Sequence, residues 1–380
     1  MPKSKFNHVK IRGITGVVPE HFINIDDEIE FFNNDPKLLE RNKKILGLGT
    51  RHVADERTTN CDLCEAAACD LIDALKTDKN TIDALIVVSS SHDYHYPASA
   101  CILQGRLELN EECSCFDISG LSCSAYVHGL WLAHSLISSN AAKKVLLLAG
   151  DITSMHSDRR NRNSNMLFGD AGTATLLEYA DEENTAYFYT GARGKSWDKL
   201  IAPAGGYALP VREDIASAFE TDMTGNVWHL WDDIMKGLDV FKFATEVGPK
   251  GIATVLDYAQ KTKNDVDWFA FHQANKQIVR TIGMYAGLPK DKFSAEAFEK
   301  YGNCGAAAVT TDICRQLKDK TFKTVCLATF GVGLSWGFAL VDMAGTYIGG
   351  LRSYKTPADK MNRAEKIAYW NAYFKEGNNA

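Results

Sequence analysis

The chain has 380 residues, 45% hydrophobic and 24% charged, with a net charge of −6. That is the make-up of a globular protein with enough chain for a large buried core. Its Lys and Arg residues are scattered, which argues against nucleic acid or an anionic membrane surface as partner, and no apolar run is long enough for membrane insertion.

Behind Met1-Pro-Lys-Ser-Lys-Phe6 there is no apolar stretch, so no secretory leader is expected and the cytoplasm is the expected location. Ten cysteines are too dilute here for a disulfide scaffold. Cys61-x-x-Cys64 lies in a segment to Leu75 with the pattern of an amphipathic helix. It has no second pair at finger spacing, so buried side chains and no metal are expected there. Ile82–Val88 is a continuous apolar run, the mark of a strand covered on both faces. A helix is expected from Tyr96-Pro97 to about Leu109, then a strand over Cys115–Ile118. Ser124–Ser138 is apolar around most of its circumference, as a buried helix is, and Val145–Ala149 reads as another buried strand. This β-α-β-α-β order predicts an α/β fold with a mostly parallel sheet.

The second half repeats the pattern. Asp83-Ala-Leu-Ile-Val-Val88 has a counterpart in Asp267-Trp-Phe-Ala-Phe271. Val145 lies 22 residues after Cys123, and Val325 lies 22 residues after Asn303. Two duplicated α/β halves are therefore expected, 1–180 and 181–344, with the border near Asp181–Asn184 and an appended tail over 345–380. The tail's Tyr369, Trp370, Tyr373 and Phe374 suggest that it packs against something. The halves should meet so that the loops at Cys123 and Asn303 share one centre.

Three residues at such junctions carry chemistry. Cys123 follows Gly120-Leu-Ser122 at a strand-to-helix junction, where the positive helix end favours a thiolate and free N–H groups can receive an oxyanion. His272 sits at the end of the 267–271 strand, where α/β folds place their sites. Asn303 reads on its own as a helix cap. Together a thiol, an imidazole and an amide make a nucleophile with two hydrogen-bond donors.

In order along the chain stand His92–Cys101, Cys123–Leu130, Leu167–Ala174, Val240–Ala244, Asp267–Asn275, Tyr301–Ala307 and Phe330–Gly337. With these, most of residues 80–343 resembles the β-ketoacyl-ACP synthase III family. The resemblance implies a thiolase-like fold layered αβαβα, a homodimer, and an acyltransferase of fatty acid biosynthesis. Cys123 would carry the acyl group, and His272 and Asn303 would polarise the malonyl thioester. The N–H groups of Cys123 and the Val332-Gly333 loop would form the oxyanion hole, and Arg162 would contact coenzyme A. The implied substrates are acyl-CoA and malonyl-ACP, with acyl carrier protein as partner and no metal or other cofactor. The sequence departs from the family pattern in the longer Asp117–Cys123 spacing, in Leu238 and Gln277, and in lacking the early Trp within Phe31–Leu48. The alternative is acyl transfer from Cys123 to an alcohol, amine or other nucleophile.

Overall fold

The computed structural model describes residues 3–377. Two sheets lie at its heart. The first has six strands in the order Tyr347–Tyr354, Val9–Pro19, Ala171–Tyr179, Lys144–Asp151, Ala84–Val88, Ser114–Ile118. The second has five: Lys3–Phe6, Ala186–Ala192, Ser335–Asp342, Thr324–Gly331, Trp268–Phe271.

Strand alternation decides what each face covers. Ile86, Val88, Val145 and Leu147 of the first sheet and Val325 and Leu327 of the second pack in one core with the helices Ala125–Ser138 and Ala308–Leu317. These two helices are thus the middle layer. The opposite face of the first sheet, with Leu85, Val87, Leu146 and Leu148, packs on the helices Asn60–Leu75 and Ser99–Arg106. Cys326, Ala328, Phe269 and Phe271 pack on Gly237–Tyr258 and Lys276–Tyr285. The result is the expected αβαβα layering. Leu85–Val88 are fully buried, each such side chain being worth roughly 1.5–3 kcal/mol.

Duplication extends to single hydrogen bonds. Ala84 pairs with Val145 and Trp268 with Val325, both in parallel. The Asp83 carboxylate accepts from the N–H groups of Lys143 (2.7 Å) and Lys144 (2.9 Å), as Asp267 does from Lys323 (2.8 Å) and Thr324 (2.9 Å). Among the described residues the second half has no counterpart to the edge strand Ser114–Ile118, although the Lys292 carbonyl takes the Phe269 N–H at 2.8 Å.

The chain ends cross between halves, which the expected division at 180 and 344 does not anticipate. Lys3–Phe6 pairs with Ala186–Ala192 in the second sheet, and Tyr347–Tyr354 runs parallel to Val9–Pro19 in the first. Residues 345–380, expected as an appended tail, therefore begin as a structural strand. Only then comes the exposed helix Arg363–Gly377, whose Trp370 ring meets Tyr94 at 5.9 Å. The helix expected from Tyr96 begins at Ser99, because Asp117 accepts the N–H groups of Ser99 (2.7 Å) and Ala100 (2.9 Å) and so caps it there. No helix among the described residues is long and apolar enough to cross a membrane.

Candidate active site

Cys123 lies in a 3-10 turn, Ser122–Ser124, that leads into the helix Ala125–Ser138. The longer approach from Asp117 is taken up by a turn with φ of 73° at Gly120 and 45° at Ser122. The thiol is 7% exposed and has two neighbours, Ser122 Oγ at 3.5 Å and Asn303 Oδ1 at 3.9 Å. Burial pushes its pKa up to about 12. This loss of water opposes the thiolate that the helix end favours.

His272 follows the strand Trp268–Phe271, and its N–H donates to the Ala328 carbonyl at 2.8 Å, continuing the parallel pairing. Burial drops the imidazole pKa to about 3, so the ring is neutral, and its Nδ1 has no hydrogen-bond partner among the described residues. Asn303 is held through its backbone: its N–H donates to Leu167 O at 2.8 Å, and its carbonyl accepts from Gly169 N–H at 3.1 Å. Its side-chain oxygen accepts from Gly305 N–H at 3.1 Å, which leaves the amide N–H groups as donors. Asn303 thus precedes the 3-10 turn Gly305–Ala307 rather than capping a helix directly.

A buried carboxylate fixes this loop. Asp151 Oδ2 accepts from Ala306 N–H at 2.7 Å, while Oδ1 receives Ser89 Oγ (2.9 Å), Ser90 N–H (2.8 Å), Ser91 N–H (3.1 Å) and Ser91 Oγ (2.9 Å). Gly305 has φ of 54°, and a Cβ there would lie 2.2 Å from Asp151 Oδ2. On the other side, Gly331 comes close enough to the nucleophile turn that a Cβ would lie 2.1 Å from Leu121 O. Ser335 Oγ bonds both Ser124 Oγ (2.6 Å) and Val332 O (2.8 Å), tying the loop to the start of the nucleophile helix.

All three residues open on one cavity of about 930 Å³. Val332 lines it as well; Gly333, at φ 74°, does not. Arg162 also lines the cavity, and its guanidinium bonds Phe31 O (3.2 Å) and Thr224 O (2.6 Å). Phe31, Phe32, Leu38, Leu46 and Leu48 form an apolar wall in place of the early Trp, and Leu238 and Gln277 belong to the lining too. Sequence reasoning missed Asp151, Ser90, Ser91 and the facing pair His156 and Asp233. Only Asp151 left a signal: an acid at the end of the buried run Val145–Gly150.

The family described as 3-oxoacyl-[acyl-carrier-protein (ACP)] synthase III matches residues 116–194, and its C-terminal part matches 256–343. A Fusobacterium nucleatum β-ketoacyl-[acyl-carrier-protein] synthase III is 30% identical over 88% of this chain and 99% of its own. The chain belongs to this family. A Campylobacter jejuni chain provisionally named 3-oxoacyl-[acyl-carrier-protein] synthase 3 is 40% identical over 91% of this chain and 97% of its own. Among solved structures, a 3-oxoacyl-(acyl-carrier protein) synthase from Burkholderia xenovorans matches with a TM-score of 0.84 and 33% identity, covering 93% of this chain and 99% of that one. As a synthase III family member the chain is an acyl-transferring condensing enzyme, and its thiol, imidazole and amide line one cavity.

Proposed function

We propose that this enzyme condenses an acyl thioester with malonyl-ACP, releasing carbon dioxide, by way of an acyl group on Cys123. The thiol attacks the acyl-CoA carbonyl, the acyl group passes to sulfur, and coenzyme A leaves with the proton. The N–H groups of Cys123 and of the Val332-Gly333 loop would hold the oxyanion, and Arg162 at the cavity wall would meet the coenzyme A. Malonyl-ACP then loses carbon dioxide. The enolate oxygen takes hydrogen bonds from His272 and Asn303, and its carbon attacks acyl-Cys123 to give 3-oxoacyl-ACP and the Cys123 thiolate, which takes a proton from solvent. This route requires no metal or redox cofactor. A homodimer in the cytoplasm belongs to the same proposal: among the described residues no strand pairs with the outer edge of Ser114–Ile118, and Phe116 is exposed on it.

The observation that supports this reading most strongly is the pairing of Asn303 with a neutral His272 around Cys123. Acylation alone needs only backbone donors, whereas decarboxylation builds charge that two side-chain donors in a dry site stabilise. Asn303→Ala should therefore still be acylated at Cys123, seen by intact mass. It should release carbon dioxide from malonyl-ACP about a hundredfold more slowly, if one donor is worth about 3 kcal/mol. An acylated wild-type enzyme that never decarboxylates a malonyl thioester, but hands its acyl group to an amine or alcohol, would refute the condensation.

A further inference from the structure

Two adjacent carboxylates in the loop before the helix Gly237–Tyr258 have opposite surroundings. Asp232 is fully buried and saturated, accepting from Asp158 N–H (3.1 Å), Asn161 Nδ2 (3.2 Å) and His229 N–H (3.0 Å). Asp233 lines the cavity instead, its side chain only 24% exposed. No hydrogen bond reaches its carboxylate from the described residues, and its ion-pair partner is His156 Nε2 at 3.9 Å. Much of the surrounding lining is apolar, with Leu200, Ile201, Met235 and Phe243 among it. With no donor from the described residues, this carboxylate offers its acceptor sites to whatever polar group occupies the cavity.

We propose that Asp233 and His156 form a subsite for a hydroxyl carried on the acyl group, so that the preferred donor is a hydroxyacyl thioester. This rests on the acyl-Cys123 reading above. The 3.9 Å gap is too long for a hydrogen bond, but one oxygen about 2.8 Å from each side closes it. A hydroxyl matches both sides: it donates to the carboxylate and accepts from the imidazole N–H. A keto oxygen has no proton for Asp233, and a methylene leaves both without a partner. Asp233 and His156 line the same cavity as Cys123, which places the hydroxyl on the acyl group bound there. Sites built around a substrate hydroxyl reject the analogue lacking it far more strongly than apolar pockets reject an extra methylene.

The test compares 3-hydroxybutyryl-CoA with butyryl-CoA, following the rate of Cys123 acylation by intact mass. Wild-type enzyme should favour the hydroxylated donor by about tenfold or more. Asp233→Leu should reverse the preference toward butyryl. Asp233→Asn, which keeps the shape and one acceptor oxygen, should retain a reduced preference and serves should the leucine variant not fold. Equal acylation of wild type by both thioesters, or a ratio unchanged in a folded variant, would show that the gap holds only water and would overturn the subsite. Failure of every thioester tried to acylate wild-type Cys123 is a separate result; it would sink the acyl-enzyme reading itself and this inference with it.

Discussion

Replacing Asp151 with asparagine isolates the link between the two halves. The carboxylate serves four donors from Ser89–Ser91 on Oδ1 and the Ala306 N–H on Oδ2. An amide has one oxygen, and the larger group of donors would claim it, turning the new NH2 toward Ala306 N–H. The loss is one hydrogen bond from a buried N–H to a carboxylate, worth about 1.5–3 kcal/mol. Burial already raises the Asp151 pKa, so removing the charge returns part of that. A net fall in stability of about 1–3 kcal/mol is expected, seen as a lower thermal midpoint. The larger effect concerns rate. Ala306 is three residues after Asn303, and Gly305 between them holds the Asn303 amide at 3.1 Å. A shift of the loop would spoil that donor's aim, which at about 3 kcal/mol means roughly a hundredfold slower carbon dioxide release. Acylation of Cys123, which relies on backbone donors rather than on the Asn303 amide, should change only a few-fold. Intact-mass acylation and decarboxylation of malonyl-ACP, measured side by side, decide it. Wild-type decarboxylation, or an equal fall in both steps, would refute Asp151 as the residue that positions Asn303.

Two further outcomes follow from the structure. His134 is buried between Phe6 and Phe188, and burial lowers its pKa to about 4. The unfolded chain takes up this proton from about pH 6.5 downward while the folded chain refuses it, so stability falls by up to about 1.4 kcal/mol per pH unit between 6.5 and 4. His134→Phe should remove that slope, its melting point gaining on wild type as pH drops from 7 to 5; parallel curves would contradict the assignment. Phe116→Lys, on the exposed edge of the first sheet, should shift sedimentation toward monomer, and a dimer as tight as wild type would place the interface elsewhere.

What the sequence made legible was periodic or repeated. Ala84–Val88 and Lys144–Asp151 are covered on both faces, and their unbroken apolar runs say so directly. The duplicated spacing from Cys123 to Val145 and from Asn303 to Val325 gave the meeting of the two loops, since equal spacings on equal strands bring equal junctions to the centre. What stayed hidden depends on partners far away in the chain. The crossing of the ends could not be read from Tyr347–Tyr354, because a short strand of mixed character carries no mark of which sheet will accept it. The burial of Cys123 stayed hidden for a related reason. The helix end is a local feature, whereas the walls that exclude water from the thiol come from residues as distant as Phe330 and Asn303. Asp233 belongs to the same class: beside Asp232 in sequence it looks like one more acid in a polar loop. Only the fold turns one of the pair to Asp158, Asn161 and His229 and the other to the cavity. Chemistry at a centre built from duplicated junctions is thus announced by the repeat. The cavity wall around that centre comes in part from unrepeated loops such as this one, whose residues carry no mark of it in the sequence.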